Sequence, residues 1–99
     1  MKTKKIDHEA LDLHFEIPDS GLRQRHIEEF YKALGERSSV RGMLGPVRNG
    51  HIVRAAITVG WLEGQLTDEE VGDMHPAGVT WLASELDDIV AAAFVIEGE

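Results

Sequence analysis

The 99-residue chain has no cysteine. This excludes a disulfide framework, a thiolate metal site and a cysteine nucleophile, and it suits a reducing compartment. No stretch approaches the roughly 20 apolar residues of a membrane-spanning helix. The first residues, Met1-Lys2-Thr3-Lys4-Lys5, reach Asp7 and Glu9 before any apolar run, so the apolar centre of a secretory signal is missing and neither export by that route nor a membrane partner is expected. Catalytic signatures are missing too. There is no Gly-x-Ser-x-Gly turn, and Gly42-Met43-Leu44-Gly45-Pro46 lacks the glycines and the Lys-Ser/Thr ending that cradle a phosphate. The composition therefore points away from an enzyme and names no cofactor. Positive charge is scarce in one half: residues 1–50 hold nine Lys/Arg and eight Asp/Glu, whereas residues 51–99 hold Arg54 and ten acids.

Hydrophobic residues make up 42% of the chain and charged ones 28%, the balance of a chain that folds, and its length fits a single domain over 1–99. Leu11, Leu13, Phe15 and Ile17 alternate with Asp12, His14 and Glu16 up to Pro18-Asp19, the period of a half-buried strand. Ser20 is placed to cap a helix over 21–34, with Ile27, Phe30, Tyr31 and Leu34 on its apolar stripe and Gly35 as its stop. Glycines, Pro46 and the basic residues Arg37, Arg41 and Arg48 break the pattern over 36–50, which reads as a flexible basic loop able to order on a partner. A second helix, apolar almost all round, runs from about 50 to 62 with Gly60 inside it, the mark of a central element with a close neighbour. Thr67 and Glu70 have capping-box spacing, and Pro76 suits the first turn of a last helix. That helix carries Val79, Leu82, Ala83, Leu86, Ile89, Val90 and Ala93 on one stripe. The expected fold is mainly α with a small β element, about three helices in a small bundle. The strand at 11–17 needs a partner, and residues 93–97 or a second chain would supply it.

His8, Asp12, His14 and Glu16 form an acid–histidine row that could hold a metal, but such a row is also what the wet face of a strand requires, and no metal is expected. His26, His51 and His75 are isolated, with His75 beside the start of the last helix. Arg37, Arg41, Arg48 and Arg54 lack interleaved aromatics, so direct nucleic-acid binding is not expected. Trp81 lies off the main stripe of its helix together with Gly78, Glu85 and Asp88. It is either a rim residue closing the core edge or an interface anchor. Trp81, Glu85 and Asp88, with Arg41 and Arg48 of the basic loop, are the candidate partner-binding residues. The acidic half favours a basic protein partner over nucleic acid, or serves solubility alone.

The segment Val53-Arg54-Ala55-Ala56-Ile57-Thr58-Val59-Gly60-Trp61-Leu62-Glu63-Gly64, then Asp73-Met74-His75-Pro76 and Val79-Thr80-Trp81-Leu82, resembles small proteins of tailed phages and prophages in the tail assembly chaperone group. The likeness covers about the last half of the chain. It implies a non-enzymatic, acidic, helical protein in the cytoplasm of the bacterial host that binds a tape-measure or other tail protein during virion assembly. Two other readings stand beside it. One is a phage-encoded inhibitor of a nucleic-acid-binding host defence protein, presenting Asp68, Glu69, Glu70, Asp73, Glu85, Asp87 and Asp88 as a mimic of DNA phosphates. The other is a helical protein-interaction module of its own kind. A homo-oligomer is compatible with each.

Overall fold

The computed structural model describes residues 2–37 and 45–94. A hairpin, β1 (Lys2–His8) and β2 (Leu13–Ser20), leads into four helices: α1 (Gln24–Arg37), α2 (Gly45–Thr58), α3 (Asp68–Asp73) and α4 (Pro76–Ala92). The expected small α+β fold is present, and α2 is its centre, packed against α1, α3 and α4. Ile52, Val53, Ala55 and Ala56 are fully buried there, beside Phe30 of α1 and Leu82 and Leu86 of α4. Among the described residues no helix is long and apolar enough to cross a membrane.

The partner of the strand is not the one expected. β2 pairs antiparallel with β1, setting Ile6 opposite Phe15 and Lys5 opposite Glu16. Of the segment 93–97, Ala93 and Phe94 form a turn after α4, and the rest lies outside the described residues. β1 hides its strand character because it holds Lys4 and Ile6 on the face that β2 fills with Phe15 and Ile17. Its extended state comes from pairing with an apolar neighbour rather than from its own alternation. A single 3₁₀ turn, Glu9–Leu11, joins the two strands and closes on Asp12, whose φ of 52° is left-handed. Aspartate is among the few residues that take that conformation readily.

The helix ends also differ from the sequence reading. Ser20 ends β2, and Arg23 takes the N-cap position of α1: its carbonyl accepts from the Ile27 N–H (3.2 Å) and its own N–H donates to Nδ1 of His26 (2.8 Å). Gly35 does not stop α1, which runs on to Arg37. Ile27, Phe30 and Ala33 form the buried stripe, and Tyr31 faces outward. The loop expected over 36–50 is helical at both ends: α1 runs to Arg37, and α2 starts at Gly45 and uses Pro46 in its first turn, where a missing N–H costs nothing. Residues 38–44 lie outside the described residues.

Gly60 lies beyond the end of α2 rather than inside it. It has φ +88°, its N–H donates to the Ile57 carbonyl (3.0 Å), and the Trp61 N–H donates to the Ala56 carbonyl (2.9 Å). This crossed pair of bonds around a left-handed glycine is the Schellman termination, and it turns Trp61 back into the core, stacked on Phe30 with ring centroids 4.9 Å apart. Thr67 and Glu70 close the expected capping box on α3. His75 caps α4, with Pro76 in its first turn.

Candidate interaction surface

The hairpin lies on α4 where that helix is narrowest. Gly78 is buried, and a Cβ there would come within 2.8 Å of Leu13 Cδ1 and 3.3 Å of Leu11 Cδ1. One turn along the same face, Trp81 also meets the hairpin. Its ring meets His8 edge-on (centroids 5.3 Å) and Phe15 at 6.2 Å. Trp81 is therefore half-buried, seated between strand and helix at the edge of the core. Further along α4, Glu85 is half-buried and Asp88 exposed. Arg48 is exposed in the first turns of α2, and the Asn49 Nδ2 bond to Thr80 Oγ1 (3.3 Å) sets that end of α2 beside α4. Arg41 lies outside the described residues.

The acid–histidine row folds into a clasp on the outer face of the hairpin. Asp7, opposite His14 in the ladder, takes its Nδ1, and Asp12 takes its Nε2, both at 2.8 Å. With both ring nitrogens facing carboxylate oxygens, the doubly protonated ring is favoured. The hydrogen bond to Asp7, then that to Asp12, raises the His14 pKa above its ordinary value. Among the described residues no group of three or more histidines and acids is placed to hold a metal. His8 faces the other way, and its Nδ1 accepts the Leu11 N–H (3.3 Å).

Two features carry no local signal in the sequence. Gln65, in the connector between α2 and α3, reaches the far edge of β2: its Nε2 donates to the Glu16 carbonyl (2.8 Å), and its Oε1 accepts the Glu16 N–H. The two residues are 49 apart in the chain, so spacing could not have paired them. Outside the core, Phe94 is 64% exposed, Tyr31 51% and Val47 51%. Tyr31 was expected on a buried stripe, and Phe94 in a strand.

Near Gln65 a recess of about 590 Å³, open to solvent, lies where α2 gives way to α3, lined by Ile57, Val59, Gly60, Leu66 and Thr67 among others. Acidic residues surround the neighbouring helices. Glu69, Asp73, Asp87 and Asp88 are exposed, and no Lys or Arg follows Arg54 in the chain. Arg54 itself crosses to α3, donating from Nε to the Asp68 carbonyl (3.4 Å).

No protein-family model matches the chain, and neither a curated protein nor a solved structure matches it. Among the residues on which the expected resemblance rests, Ala55, Ala56, Trp61, Leu62, Val79 and Leu82 are buried, Met74 and Trp81 are half-buried, and Asp73, His75, Pro76 and Thr80 are exposed.

Proposed function

We propose that the chain acts without catalysis, by binding another protein, as a member of the tail assembly chaperone type. Its setting would be the cytoplasm of an infected bacterium, where it holds a tape-measure or other tail protein soluble until the tail is built. The observation supporting this reading is the apolar side chain left outside the core at the end of α4, Phe94 at 64% exposure. A chaperone for an apolar helical client must keep anchors accessible while its own charge keeps it dispersed. Phe94, with Tyr31 and Val47, supplies the first requirement, and the acids of α3 and α4 supply the second. Trp81 is the weaker anchor, because the hairpin already occupies it.

The phosphate-mimic reading draws on the same acids but has less to work with. The carboxylate of Glu70 closes the capping box on the Thr67 N–H (3.0 Å), so part of the acidic set holds α3 in place. Co-expression with a tape-measure segment separates the two readings. Phe94→Ser combined with Tyr31→Ser should cut co-purification about tenfold with unchanged circular dichroism, and raising salt should change it little. Recovery from infected cells of a nucleic-acid-binding protein in a salt-sensitive manner, with no tail protein, would overturn the chaperone reading.

A further inference from the structure

The two edges of the hairpin are finished differently. In an antiparallel ladder, a residue whose N–H and C=O point outward sits opposite one whose pair points to the other edge. Both backbone groups of Glu16 are taken by Gln65 from outside the hairpin, and Glu16 pairs with Lys5. The N–H and C=O of Lys5 therefore point away from β2, and by the two-residue period so do those of Thr3 and Asp7. The matching outward positions on β2 are His14, Glu16 and Pro18. Gln65 fills the middle one, and Pro18 has no N–H to offer. Strand addition is thus blocked along β2, whereas β1 presents three outward pairs in succession. Among the described residues only β2 lies extensively against β1.

The open edge is also basic. β1 carries Lys2, Lys4 and Lys5 against Asp7, in a chain of net charge −8. A second copy of β1 fits it poorly, since antiparallel self-pairing centred on Lys5 sets Lys5 against Lys5 and like charges directly opposite oppose pairing. A strand of opposite charge meets no such obstacle.

We infer that the outer edge of β1 receives an extended acidic segment of a partner protein as a third strand. Its main chain pairs with Thr3, Lys5 and Asp7, and its carboxylates meet Lys2, Lys4 and Lys5. This site is separate from the apolar anchors and does not depend on the identity of the client proposed above.

The test is titration of the ¹⁵N-labelled full chain with a blocked eight-residue peptide alternating valine and glutamate, and with a sibling peptide carrying proline at its centre. The amides of Thr3, Lys5 and Asp7 should shift and gain protection from hydrogen exchange with the first peptide and not with the second. Lys2→Glu with Lys4→Glu should weaken binding about tenfold or more. Lys5→Pro, which removes an N–H that the β1–β2 ladder does not use, should abolish it with the hairpin retained. Absence of binding, or equal binding of the proline sibling, would overturn the inference. So would a Lys5 amide already protected in the free protein, since the edge would then be filled by the chain itself. Protection that grows with protein concentration would do the same in favour of a second copy.

Discussion

Histidine does two opposed jobs in this chain. At His8, His26 and His75 the Nδ1 atom accepts a backbone N–H at the start of a helical turn, at 3.3, 2.8 and 3.1 Å. That role requires the proton to sit on Nε2. His14 instead faces two carboxylates, and its pKa is raised by Asp7 first and then Asp12. A group whose folded-state pKa is raised stabilises most fully below its unfolded value, near 6.5, and that contribution disappears as pH rises through the folded value. The ring signals of His14 in a proton NMR titration should therefore have a midpoint above 6.5, and Asp7→Asn should lower it more than Asp12→Asn. A midpoint at or below 6.5 would mean the clasp does not form. His75 gives the complementary case. Replacing it with alanine leaves the first turn of α4 without its acceptor and should cost about 0.5–2 kcal/mol in urea unfolding, and serine at that position should restore most of it.

Two glycines behave in opposite ways at the level of the elements, and both roles are visible only in the structure. Gly60 holds φ +88° where α2 must reverse to bury Trp61. Alanine there meets the left-handed penalty and should destabilise by about 1–2 kcal/mol. Gly35 sits inside α1, with nothing within 4 Å of where a Cβ would stand, so Gly35→Ala should stabilise by up to about 1 kcal/mol. Denaturant midpoints moving in the same direction for both would contradict these assignments. A glycine after an apolar run reads alike in both places, because sequence shows a break in propensity but not the sign of φ. By contrast, the strand around Phe15, the capping box at Thr67 and the buried stripe of α4 were legible, since each rests on periodicity or on a side chain acting within three residues. The start of α1 was misread because its cap is a histidine reaching back to Arg23, a device with no strong compositional signal.

At the scale of the molecule, one core joins four helices and the inner face of a hairpin, and Leu82 sits at its centre with no exposure. Leu82→Ala should cost about 2–5 kcal/mol by denaturant titration, in a single transition shared by hairpin and helices. The core was legible in large part because α2 and α4 declare their apolar faces. How the hairpin is held was not, since Gly78, Trp81 and Gln65 act on residues distant in the chain. The candidate surface was legible least of all. Trp81 proved to be tied to the hairpin, and of the exposed apolar residues Tyr31 was expected on a buried stripe, Phe94 in a strand and Val47 in a loop.

Gln65 is where hairpin and bundle meet through polar groups alone. Its amide bonds both backbone atoms of Glu16 in the way a neighbouring strand would, and thereby closes an edge that would otherwise accept one. Two consequences follow for Gln65→Ala. The bonds are exposed, so water replaces them at a net cost of about 1 kcal/mol, and the fold survives. The Glu16 amide, however, loses its fixed acceptor, so its hydrogen exchange should quicken while the amides of Val53 and Ala55, inside α2, keep their rates. A change spread evenly over hairpin and helices would mean that Gln65 acts on global stability. A change confined to Glu16 and its neighbours, accompanied by association at high protein concentration, would identify this one side chain as the guard of the β2 edge, leaving β1 as the edge open for a partner.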